Sequence, residues 1–116
     1  MNNQLTEKNC VPCQGNVPPL SRKQRQELLR QLTDWEIVGS HHLHKTFRFP
    51  DFAAALRWVN TIGEIAEAEG HHPDINLTWG KVRVDIWTHE IDNLTENDFV
   101  LAAKLDEAEQ RSATKH

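Results

Sequence analysis

Positive charge, long apolar runs and cysteine are all scarce in this chain, and each scarcity removes a class of function. Lys and Arg number 13 against 17 Asp and Glu, for a formal net charge of -4 over 116 residues. General nucleic-acid binding needs a basic footprint, which is missing. The one local concentration, Arg22, Lys23, Arg25 and Arg30, reads as the solvated face of a first helix. No segment approaches the roughly 20 apolar residues that cross a bilayer. The start, Met1-Asn2-Asn3-Gln4, lacks the charged-then-apolar layout of a signal peptide. The expectation is a cytoplasmic protein with neither a membrane nor a nucleic-acid partner. The only cysteines, Cys10 and Cys13, form a single Cys-x-x-Cys in a segment rich in Pro, Asn and Gly. A structural zinc site generally needs a second pair or suitably spaced histidines, and a thioredoxin-like motif should follow a strand and open a helix. This motif does neither, so reduced, non-catalytic thiols on a mobile arm are expected.

The length suits one domain with one hydrophobic core. Residues 1–19 read as a flexible arm ending at Pro18-Pro19, residues 20–110 as the folded domain and residues 111–116 as a disordered tail. Ser21-x-x-Gln24 is a capping box opening a helix with Leu28, Leu29 and Leu32 inward. Asp34 to Val38 reads as a strand, with Gly39-Ser40 as its turn. From His42 to Phe49 the pattern alternates, Leu43, Phe47 and Phe49 facing one way and His42, His44, Thr46 and Arg48 the other. After Pro50-Asp51, a helical stripe of Phe52, Ala55, Leu56, Val59, Ile62, Ile65 and Ala66 predicts a long helix buried along one side and stopped by Gly70. Strands over about Asp74–Trp79 and Val82–Thr88 follow, then a last helix capped by Thr95-x-x-Asp98 and carrying Phe99, Leu101, Ala102 and Leu105. The order helix-strand-strand-helix-strand-strand-helix predicts an α+β fold: a four-stranded antiparallel sheet with three helices packed on one face.

Chemistry concentrates in Glu67-x-x-x-His71-His72-Pro73, followed by Trp79, His89 and Asp98. Imidazole titrates closest to neutrality, so a histidine cluster is where proton transfer is sought first. With Gly80-Lys81 as a type II′ turn, Trp79 pairs with Val82, Leu77 with Val84 and Ile75 with Ile86. That register sets His89 opposite His72, with Cβ atoms roughly 5 Å apart, and Glu67 one helical turn before His71. Acid–base catalysis, a metal site and a structural surface pair all remain open on spacing alone, although adjacent histidines in a strand face opposite sides, which works against one shared ion. Asp98 reads as a capping carboxylate, Trp79 as a core residue, and Trp87, beside Asp85 and His89, as a wall of a ligand site or an interface.

Taken together, Glu67, His71, His72, Pro73, Trp79, His89 and Asp98 have the spacing of the pterin-4a-carbinolamine dehydratase signature. The chain resembles that family over roughly residues 17–108, including Trp35 and the Thr88-His89-Glu90 triplet, and its Cys-x-x-Cys arm looks like that of bacterial members. Gly70 departs from the Asp or Asn of many members. The resemblance implies loss of water from 4a-hydroxytetrahydropterin to give quinonoid dihydropterin, which is then reduced to regenerate the cofactor of aromatic amino acid hydroxylases. It implies a homodimer or homotetramer, and no metal or other cofactor. By the same resemblance His71 and His89 carry proton transfers, His72 positions the substrate and Glu67 orients His71 or holds it protonated. Trp35, Trp87 and Thr88 contact the pterin. The alternative the family offers is a dimerisation module that serves as a transcriptional cofactor.

Overall fold

The structure is a computed structural model that describes residues 4–10 and 20–113. Helix α1 (Arg22–Leu29) opens on the predicted capping box. Gln24 N donates to Ser21 Oγ at 3.2 Å, and Ser21 N donates to Gln24 Oε1 at 2.8 Å. Strands β1 (Glu36–Val38) and β2 (His42–Arg48) follow, then helix α2 (Phe52–Glu69), strands β3 (Asp74–Thr78) and β4 (Lys81–Ile86), and helix α3 (Glu96–Ala113). The sheet is antiparallel throughout, in the order β1-β2-β4-β3. The predicted α+β architecture is therefore observed. The final helix continues to Ala113, so the expected tail is helical through its first residues. No helix among the described residues is long and apolar enough to cross a membrane.

Alternation makes one face of the sheet the floor of the core. Leu43 and Phe47 of β2 and Val82, Val84 and Ile86 of β4 are buried there with Phe99, Leu101 and Leu105 of α3. Helix α2 buries Ala55, Trp58, Ile62 and Ala66, while Phe52 and Leu56 are 45% and 41% exposed. The buried line is thus narrower than the predicted stripe. Each residue advances about 100° around a helix, and Leu56 is carried off the face that Ala55 and Ile62 share. Trp58 takes the inner place against Phe47, with ring centroids 5.0 Å apart.

A charged network lies within this core. Lys45 points inward from β2, pairs with Asp106 at 2.8 Å and lies 4.7 Å from the centre of the Phe47 ring. Asp106 also accepts from Thr33 N and Trp35 Nε1, each at 2.9 Å. Two buried charges repay their desolvation only when their other hydrogen-bonding capacity is met, and these bonds meet it. They also make Trp35 a core residue, 6% exposed.

The hairpin β3–β4 corrects the predicted register. Leu77 pairs with Val82, Ile75 with Val84 and Thr78 with Lys81, so the turn is Trp79-Gly80 rather than Gly80-Lys81. Neither turn residue has a positive φ, which excludes the type II′ geometry. A slip of two residues keeps every side chain on its face, so hydrophobic pattern cannot discriminate the two registers. Contact with the end of β2 does: Phe49 N donates to Gly80 O at 2.9 Å, and a Cβ on Gly80 would meet Phe49 O at 3.0 Å. Trp79 is consequently at the hairpin tip, 68% exposed and outside the core. Gly80→Ala is expected to destabilise the fold by roughly 1–2 kcal/mol. An unchanged denaturation midpoint would contradict this close-approach account.

The N-terminal segment also departs from expectation. Residues 4–7 form a short 3₁₀ helix, and Leu5 is 1% exposed within the core. Burying one leucine contributes about 1.5–3 kcal/mol, less than the cost of ordering residues 4–10 at about 1–2 kcal/mol each. Polar ties add to it: Lys104 Nζ donates to Thr6 O at 3.2 Å, and Lys8 pairs with Glu96 at 3.0 Å. Cys13 and the Pro18-Pro19 stop lie outside the described residues.

Candidate active site

Gly70, with φ 64°, ends α2 in the left-handed conformation that glycine adopts without steric cost. His71 N then donates back to Ala66 O at 3.2 Å, which holds His71 over the last turn of α2. From there His71 Nε2 meets Asp98 Oδ1 at 2.6 Å. The imidazole is 11% exposed and the carboxylate fully buried. Asp98 Oδ2 is already occupied, accepting from Thr95 N at 2.8 Å and Thr88 Oγ1 at 2.9 Å. The single hydroxyl proton of Thr88 is used in that bond, so Thr95 Oγ1 is the donor in its 2.8 Å contact with Thr88 Oγ1. Every member of this chain of bonds constrains the next. The carboxylate is locked, and it fixes the imidazole with Nε2–H toward Asp98 and Nδ1 as the nitrogen that can take or give a proton.

Asp98 therefore has two tasks. It supplies the predicted cap, returning from the first turn of α3 to the Thr95 backbone, and its other oxygen holds His71. Spacing showed only the first. The corrected hairpin register accounts for the second: counted onward from Asp74↔Asp85, His72 falls opposite Trp87 rather than His89, and His71 falls opposite Thr88.

Glu67 meets His72 rather than His71, with Nε2 and Oε2 2.5 Å apart, and both side chains are largely in water. Such an exposed pair adds little stability. Adjacent histidines thus address different carboxylates on different sides of the chain. Among the described residues, no group of three or more His, Cys, Asp or Glu is arranged to hold a metal ion.

His89 is exposed and packs edge-on against Trp87, with ring centroids 4.5 Å apart. The loop behind it is closed by Thr88 N to Asn93 O at 2.9 Å and Asp92 N to His89 O at 3.2 Å. Trp87 also touches His41 and His42, at 5.2 and 5.8 Å between centroids. His41 is held by Asp92 at 2.7 Å, and its Nδ1 lies 3.1 Å from His42 Nδ1. The sequence does not mark these two histidines as site residues because they belong to another hairpin. The pairing of β2 with β4 brings them to Trp87. The expected substrate contacts thus separate: Trp87 is half-buried beside His89, Thr88 is buried behind Asp98, and Trp35 lies in the core against Asp106.

The chain is similar to several known proteins. A family model described as pterin 4 alpha carbinolamine dehydratase matches residues 18–108. A protein of Rubrobacter xylanophilus is 53% identical over 103 residues, covering 89% of this chain and 96% of its own length. One of Rickettsia canadensis is 50% identical over 103 residues, covering 88% and 94%. Both carry provisional names as pterin-4-alpha-carbinolamine dehydratases. A Brucella melitensis crystal structure described as a transcriptional coactivator/pterin dehydratase shares the fold with a TM-score of 0.73 at 28% identity, over 78% of this chain and 97% of that one. With the family match running through every element from α1 to the buried part of α3 and including His71, His89 and Asp98, the chain belongs to the pterin 4 alpha carbinolamine dehydratase family.

Proposed function

We propose that this protein is a hydro-lyase that removes water from 4a-hydroxytetrahydropterin to give quinonoid dihydropterin. The observation that carries the reading is the buried Asp98 carboxylate locked onto His71 at 2.6 Å. Dehydration breaks the C4a–O bond, delivers a proton to the departing hydroxyl and removes the proton from N5 as the C4a–N5 double bond forms. The protons balance, so the protein needs one acid and one base and no redox partner. His71 and His89 carry these transfers, each contributing typically about 10²–10⁴-fold. His72, with Glu67, positions the hydroxyl and the ring, and Trp87 offers an aromatic wall beside His89. Thr88 acts from behind, setting Asp98. The product feeds the recycling of the cofactor of aromatic amino acid hydroxylases, in the cytoplasm, with the protein acting as a homodimer or homotetramer.

The Brucella melitensis relative is described as both coactivator and dehydratase. The interior of this chain favours the enzyme: a module that works only by surface docking has no use for a fully buried carboxylate behind a nearly buried histidine. The reading is tested by following product formation from synthetic 4a-hydroxytetrahydropterin after prolonged chelation of the protein. The expected rate rises in proportion to protein and is unchanged by the chelator. A rate equal to buffer favours the binding module, and a rate lost on chelation and restored by stoichiometric zinc overturns the metal-free mechanism.

A further inference from the structure

The family match begins at residue 18, yet the segment before it makes contacts that converge on the two helix ends framing the His71–Asp98 pair. Cys10 N donates to Glu69 Oε1 at 2.8 Å, and Cys10 Sγ lies 3.5 Å from Asn97 O. Lys8 reaches Glu96, while Lys104 bonds Thr6 O and lies 3.5 Å from Glu69 Oε2. Glu69 is the last residue of α2, two before His71. Glu96 and Asn97 open α3, immediately before Asp98.

The placement of Glu69 is itself informative. A carboxylate at a helix C-terminus opposes the helix dipole, and this one is only 12% exposed. Its position is sustained by the Cys10 N–H and the Lys104 ammonium. Burial pushes the Cys10 thiol up to about 12, with the negative charges of Glu69 and Asp98 adding to the effect. The thiol therefore stays protonated, a donor toward Asn97 O rather than a nucleophile.

We infer that residues 5–10 are a positioning strap, tying the C-terminal end of α2 to the first turn of α3 and so holding His71 in register with Asp98. Leu5 anchors the strap in the core and Cys10 makes its closing bond. Helix ends lack part of their hydrogen bonding and fray, and both members of the pair stand within two residues of such an end. The catalytic consequence rests on the dehydratase reading. The geometric consequence does not.

The test compares Glu69→Ala, which deletes the acceptor, with Glu69→Gln, which keeps an oxygen for Cys10 N–H. Readouts are kcat and KM for dehydration, and the proton resonance of His71 Nε2–H, assigned by its loss in His71→Gln. Expected for Glu69→Ala is a kcat lower by about tenfold with KM within about twofold, a resonance broadened by exchange, and recovery of both in Glu69→Gln. Cys10→Pro, which removes the N–H and leaves Glu69 in place, gives the same comparison should Glu69→Ala fail to fold. A folded variant with full kcat and a sharp resonance overturns the strap, as does Glu69→Gln behaving like Glu69→Ala. If the wild-type chain speeds no dehydration, the activity reading falls and the resonance still decides the strap.

Discussion

His71→Ala is expected to lower turnover of 4a-hydroxytetrahydropterin by about 10²–10⁴-fold, the range of a lost general acid or base. The loss should fall on kcat, because in the proposed mechanism the imidazole acts on a proton that moves in the transition state. Stability should fall as well, by roughly 1–2 kcal/mol, because one oxygen of the buried Asp98 loses its partner. Steady-state kinetics beside a denaturant titration separates these effects. Wild-type turnover in folded His71→Ala would remove the residue from the mechanism.

The second large effect belongs to Asp98. Asp98→Ala strands the Thr95 N–H and the nearly buried His71 Nε2–H, and leaves the Thr88 hydroxyl only its bond with Thr95 Oγ1. Each buried polar group left unpaired costs about 1–3 kcal/mol, so a destabilisation of roughly 3 kcal/mol is expected. Turnover should drop at least about tenfold, since His71 is no longer held with Nε2–H inward. Combined with His71→Ala the losses should be far from multiplicative, because the two residues act as a unit. A stability loss of 1 kcal/mol or less with unchanged turnover would restore the view of Asp98 as a helix cap alone.

That narrower view was all that residue spacing supported, and the reason is physical. Local rules read local bonds. Ser21 with Gln24, the helix start after Pro50-Asp51 and the Gly70 stop each rest on bonds spanning four residues or fewer and are legible in the chain. The alternation of β2 likewise separated Leu43 and Phe47 from His42, His44 and Thr46. Long-range relations were not legible. A period of two cannot separate registers two residues apart, so alternation alone places Trp79 in the core and His72 beside the wrong cross-strand neighbour. The interior use of Lys45, with Trp35 beside it, depends on Asp106, 61 residues further along the chain. Leu5 gave no periodic signal, since a single apolar residue in a polar segment becomes a core residue only through the helix it docks on. The histidines themselves were found from the sequence. Their carboxylate partners were not: Glu67 holds His72, and Asp98 holds His71.

In the proposed mechanism the histidines, held as described, remove water from the pterin. The most direct measurement is the initial rate of quinonoid dihydropterin formation, recorded side by side in buffer, with the wild-type chain, and with the folded His71→Ala, His89→Ala double variant. Expected is a wild-type rate that rises linearly with protein, far above buffer, and a double variant close to the buffer rate. A double variant as fast as wild type, or a wild type no faster than buffer, would contradict it.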